Sequence, residues 1–133
     1  VDPDVTLNST SSGYRDSVSV LLSSLIYGSS DSEYFGMDIS ASGDMDGDGS
    51  NDLVAGSYYG TDAGSVQLFL APTISSATVL YDSNADAAMS GLVSGDDAGA
   101  SVSIVGDVDA DGMPDLLVGA PGADEAYLIF SGY

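Results

Sequence analysis

The chain has no cysteine, histidine, tryptophan or lysine, and Arg15 is its one basic residue. Without cysteine there is no disulfide framework, and thiols give no reading of the redox compartment. The missing nucleophile and base partners exclude nucleophilic triads, zinc sites and Schiff-base chemistry. Lysine, arginine, glutamine and glutamate, the polar helix formers, are nearly absent, whereas serine, glycine, aspartate, valine and tyrosine abound. That composition predicts an all-β chain with many turns. No apolar run has the form of a signal peptide or a membrane span. The start at Val1 without methionine reads as a mature secreted segment, or a piece of a longer exported protein.

What remains is acid: 21 acidic residues against one basic residue give a net charge of −20 over 133 residues. Nucleic acid and anionic membrane surfaces are excluded as partners by charge alone. The length suits one domain that buries about two thirds of its unfolded surface.

Eight of the acids fall into two near-identical stretches, GDMDGDGSNDL over 43–53 and GDVDADGMPDL over 106–116. Asp44, Asp46, Asp48 and Asp52 recur as Asp107, Asp109, Asp111 and Asp115, each displaced by 63 residues. Carboxylates at loop positions 1, 3 and 5 converge as the backbone curls. Glycine at position 6 (Gly49, Gly112) permits the turn that aims the position 7 carbonyl, of Ser50 or Met113, at the same point. Asp52 and Asp115 at position 9 supply the last protein carboxylate. Hard oxygen donors in a flexible loop suit calcium, so two Ca2+ ions are expected, one per loop. They would bring the net charge to about −16. Neither loop is an EF-hand, because position 12 is Ala55 or Val118 inside an apolar strand-like run and not a bidentate glutamate on a helix. Acidic turns without an ion are the plainer alternative, and the repetition in register argues against them.

The sequence around the loops, FGMDISASGDMDGDGSNDLVAGSYYGTDAGSVQLFL and AGASVSIVGDVDADGMPDLLVGAPGADEAYLIF, resembles FG-GAP repeats, the blade unit of integrin α-subunit β-propellers. The resemblance covers residues 34–133 and includes Phe35-Gly36 and Gly119-Ala120-Pro121. Ala98 stands where the second copy of the pattern has phenylalanine, and Ser57-Tyr58 where the first has Ala-Pro. The resemblance implies two propeller-type blades of four antiparallel strands. Residues 1–33 would form an N-terminal arm and closing strand, 34–97 the first repeat, and 98–133 a second repeat lacking its fourth strand.

Strands are expected around Val18 to Leu22, at Leu25 to Tyr27, and on either side of each loop. Thr78 to Tyr81 is expected as the fourth strand of the first blade, and Asn84 to Asp97 as a long polar connection. The spare strand around Leu22 to Tyr27 would complete the last blade of this chain or of a neighbour. Because propellers use about four to eight blades, partners are expected to be copies of the chain or adjacent blades of a longer one, in a ring or a filament. The implied function is an extracellular or cell-surface calcium-binding structural or adhesive module. The alternative is a binder of protein or carbohydrate ligands through Tyr34, Tyr58 and Tyr59. Asn8-Ser9-Thr10 is a glycosylation sequon, which suits the same location. No enzyme is expected, since Asp96-Asp97 and Asp124-Glu125, the acidic pairs outside the loops, read as turn residues.

Overall fold

The computed structural model describes residues 6–8, 17–19, 24–29, 34–58, 63–76 and 79–132. Strands dominate, as the composition requires. β1 (Thr6–Asn8) pairs antiparallel with β2 (Ser17–Ser19), so part of the expected polar arm is a hairpin; Leu22 lies outside the described residues. β3 (Leu25–Tyr27) follows, then β4 (Phe35–Gly43), β5 (Asp52–Ser57) and β6 (Ser65–Phe69). After a six-residue helix α1 (Ala71–Ser76) come β7 (Val79–Tyr81) and β8 (Ala87–Ser90). β9 (Ser101–Ile104), β10 (Leu116–Ala120) and β11 (Glu125–Ile129) complete the order.

Two antiparallel sheets form the body. One has the order β4-β5-β6-β8 and the other β9-β10-β11. Each metal-type loop joins the first two strands of its own sheet, so the repeated sequence becomes a repeated structure. The fourth strand of the first sheet is Ala87–Ser90, paired Ser65↔Ser90 through Leu68↔Ala87, and not Thr78 to Tyr81. Val79–Tyr81 is a strand, but its neighbour is β3, in parallel register from Leu25↔Val79 to Tyr27↔Tyr81. The expected closing strand thus takes β7 as its partner within this chain, and the Tyr27 and Tyr81 rings, tilted by 31° with centroids 5.9 Å apart, belong to that pairing. The stretch read as a polar connection contains β8 because β6 offers it a ladder of backbone hydrogen bonds, whatever its own weak propensity.

Alternation decides what faces inward along β9 and β10, while β5 and β6 are buried at nearly every residue. Val54 and Val66 of the first sheet meet Val102, Ile104, Leu116 and Val118 of the second in one buried cluster. Burying each side chain contributes roughly 1.5–3 kcal/mol before the entropy of ordering is subtracted. At the junction, side chains of β4 serve the backbone of β9. The Val102 N–H donates to Asp38 Oδ2 (2.8 Å) and the Ile104 N–H to Ser40 Oγ (2.9 Å), while Ser42 Oγ donates to the Ile104 carbonyl (3.1 Å). Gly56 lets β5 approach the Gly99 carbonyl so closely that any Cβ there would overlap it. Ala98 is fully enclosed, with its N–H on the Ala63 carbonyl (3.0 Å) and its backbone against Gly64. That enclosure explains how the site keeps its packing with a methyl group where the family pattern has a ring. In the first sheet Phe35 keeps the ring and packs edge-on to Phe69, 6.4 Å away.

Candidate metal centres

Each loop brings three of its four aspartates together, though not the same three. In the first, carboxylate oxygens of Asp44, Asp46 and Asp48 lie within 4.8 Å of one another; in the second, those of Asp107, Asp109 and Asp115 do so. The backbone holds these groups in place. Asp44 accepts from Gly47 N–H (2.7 Å), Asp48 N–H (3.0 Å) and Gly49 N–H (2.7 Å). Asp107 repeats this with Asp111 N–H (3.0 Å) and Gly112 N–H (2.8 Å). The position 3 aspartates each accept from the position 5 N–H, Asp46 from Asp48 (3.0 Å) and Asp109 from Asp111 (3.2 Å). Position 5 in turn accepts from position 7, Asp48 from Ser50 N–H (2.7 Å) and Asp111 from Met113 N–H (2.8 Å). The turn needs positive φ at position 4, supplied by Gly47 (79°) and, with a side chain to accommodate, by Ala110 (66°).

The position 9 aspartates have a second task. Asp52 is fully buried, and its oxygens accept from Met45 N–H (2.6 Å) at the start of the loop and Ala71 N–H (2.8 Å) after β6. Asp115, equally buried, accepts from Val108 N–H (2.7 Å) and Ser131 N–H (3.2 Å). Each therefore ties its loop to the end of the third strand. Asp52 stands outside the first triad and Asp111 outside the second, while Asp115 belongs to the second. Nothing in the sequence separates these roles, because all four positions carry the same side chain.

Electrostatics distinguish neighbours in the first loop. The Gly49 N–H, aided by those of Gly47 and Asp48, holds the Asp44 carboxyl below the usual range against the opposing effect of desolvation. For Asp46 the Asp48 N–H pulls the same way, but desolvation and the charges of Asp48 and Asp52 outweigh it, and its carboxyl is pushed up. A carboxylate that resists ionisation among its own kind is a group that a cation would stabilise. All donors are oxygen, the chemistry of calcium and magnesium. The residues present therefore fit a hard divalent ion, and among the described residues there is no lysine or arginine side chain to take its place.

The FG-GAP repeat matches residues 35–69 and 98–132. The chain belongs to the FG-GAP repeat family. Those segments run from the first strand of each sheet, or the bridge just before it, to the third strand or just past it, so sequence repeat and structural repeat coincide. Comparison with curated proteins finds no match. FG-GAP repeats are structural and binding modules, they often bind Ca2+, and they occur in extracellular and surface proteins.

The other candidates sort by position. Tyr34 is 63% exposed and meets Tyr58 edge-on at 6.5 Å; Tyr59 lies outside the described residues. Asp96 accepts from Leu92 N–H (2.9 Å) and Val93 N–H (2.7 Å), Asp97 and Asp124 have positive φ, and all three stand in turns, whereas Glu125, expected in a turn, begins β11 and pairs with Ala120. Asn8 ends β1. Sequence reasoning missed Asp38, Ser40 and Ser42, which join the sheets. It also missed Asp86, which accepts from Leu70 N–H (2.8 Å) and Thr73 Oγ1 (2.8 Å) and secures the start of α1. No local motif marks any of these. Among the described residues no helix is long and apolar enough to cross a membrane.

Proposed function

We propose that the chain is an extracellular calcium-binding structural or adhesive module, holding one ion in each loop. The ligands would be Asp44, Asp46, Asp48, the Ser50 carbonyl and Asp52 in the first loop, and Asp107, Asp109, Asp111, the Met113 carbonyl and Asp115 in the second. The convergence of carboxylates at two equivalent places carries this reading. Bound calcium would supply the positive charge that the loop side chains lack, and the residues themselves fix the loop geometry around it. Isothermal calorimetry should give two sites per chain. At an affinity of about 0.1–1 mM, calcium in ~100-fold excess over Kd would stabilise each site by roughly 2.7 kcal/mol. A melting temperature unchanged by excess chelator would end the structural role.

Self-association belongs to the same proposal. Leu117 stands in β10 where Val54 stands in β5, yet it is 41% exposed while Val54 is fully buried, and its cross-strand partner Leu128 is 42% exposed. The outer face of the second sheet is thus a blade face awaiting a neighbour, and β11 has no partner on its far edge among the described residues. An apolar cleft of about 410 Å3, lined by Met45, Leu68, Met89, Ile129 and Phe130 among others, opens beside that edge. An added strand from a second copy would cover both. Native mass measurement in millimolar calcium tests this: particles larger than one chain are expected, and a strictly monomeric, well-folded protein would refute it. Exposed Tyr34 beside half-buried Tyr58 favours a second reading, ligand binding at that edge, which quenching of tyrosine fluorescence by a glycan panel would reveal.

A further inference from the structure

The two loops touch, although they belong to different sheets and are 63 residues apart in sequence. A Cβ built on Gly47, at position 4 of the first loop, would lie 3.4 Å from Met113 Cε and 3.5 Å from its Sδ. Met113 is position 7 of the second loop, and its side chain therefore extends toward the backbone of the first, where a methyl group at Gly47 would just meet it. A second contact lies at the loop bases. A Cβ on Gly43, the residue before Asp44, would meet Ile104 Cγ2 at 2.5 Å and Pro114 Cγ at 3.0 Å, and Pro114 is the residue before Asp115. The first loop has Ser50 at position 7, which is exposed.

We propose that Met113 is a positioning residue through which the two loops sense each other's occupancy, so that calcium fills them with positive cooperativity. This rests on the calcium reading above. In that reading the Met113 carbonyl is drawn toward the ion of the second loop, which fixes its backbone and sets the thioether against Gly47. The Gly47 N–H is one of the three that orient Asp44. An ordered wall beside that turn lowers the entropy cost of ordering the first loop, and the effect is reciprocal because coupling of binding free energies is. Electrostatics act in the opposite sense, since the first dication weakens the negative potential that attracts the second. Salt screens that term over about 8 Å at physiological strength but leaves a packing contact untouched.

Calcium titration of the full chain by calorimetry, at about 0.15 M and about 0.5 M salt, tests the proposal. Asp46→Ala removes the first site and should weaken the second about fivefold, the low end of ordinary coupling between sites. Met113→Ser, which places at position 7 the residue the first loop already uses, should make the second site insensitive to Asp46→Ala. Met113→Leu, which keeps an apolar side chain of similar reach, should restore the sensitivity. The ion-free melting temperature of Met113→Ser should stay near that of the unaltered chain, which separates positioning from general stability. An unchanged second site in Asp46→Ala, an equal change with and without Met113, or negative cooperativity that fades with salt would each overturn the proposal. Two independent sites would leave calcium binding intact and defeat only the coupling, whereas no binding at all would defeat both.

Discussion

At the scale of single residues, neighbouring aspartates in one loop have opposite effects on stability. Asp44 has a lowered pKa in the fold, so its contribution is present above the ordinary carboxylate range and is lost as pH falls through the lowered value. Asp46 has a raised pKa, so its contribution is present at low pH and is lost as pH rises through the raised value. In calcium-free solution at neutral pH, Asp44→Asn should therefore lower the melting temperature, while Asp46→Asn should leave it unchanged or raise it. In saturating calcium both should lower it, because each would remove one of the proposed ligands. Thermal scans of the two variants with and without chelator check the sign reversal at Asp46. Ala110 gives a second residue-scale test. It holds a left-handed conformation (φ 66°) where the first loop has Gly47, so Ala110→Gly should stabilise the ion-free chain by about 0.5–1 kcal/mol, relief of strain exceeding added backbone entropy. Chemical denaturation with an unchanged midpoint would show that the loop bears no such strain.

At the scale of elements, the junction between the sheets is held as much by polar side chains as by the apolar cluster. Ser40→Ala leaves the Ile104 N–H without its acceptor at a half-buried site and should cost about 1–3 kcal/mol. Ile104→Ala removes a side chain from the shared cluster and should cost about 2–4 kcal/mol. Urea unfolding should show both as lower midpoints with an unchanged slope, since neither alters the compactness of the native state. Gly56→Ala is the steric counterpart: its methyl group would overlap the Gly99 carbonyl, so the sheets must separate or the variant must fail to fold. Hydrogen exchange that loosens β5 and β9 together in this variant would confirm that the two strands share one contact.

At the scale of the whole molecule, charge and apolar surface oppose one another. A net charge of −20 resists association, and the exposed Leu117 and Leu128 promote it. On the proposed reading, bound calcium would tip that balance by lowering the charge, so chelation should dissociate any assembly as well as lower the melting temperature. Leu128→Lys should weaken association by making the outer face of the second sheet polar, while leaving both calcium sites titratable. Sedimentation in calcium would reveal the loss, and a variant that still forms particles of unaltered size would place the contact elsewhere.

The sequence by itself determined the family, the all-β class, the two loops and the strands that flank them, because each rests on local chemistry repeated in register. Aspartates two apart with a following glycine turn the backbone back on itself and bring acidic groups together in both loops, and aliphatic residues on either side make strands. The tertiary structure alone decided which strands pair. Val79–Tyr81 has strand-forming side chains and was read as the fourth strand of a blade, yet it lies on β3; Ala87–Ser90 has none and takes that place instead. Propensity reports how well a residue suits an extended backbone, not where its hydrogen bonds go. The fold also decided that Asp52 and Asp115 are buried ties to the next strand's end, that Asp38 and Ser40 serve a neighbouring backbone, and that Met113 lies against Gly47. These contacts join residues far apart in the chain, and the side chains involved are equally suited to solvent, so no spacing or composition could encode them in advance.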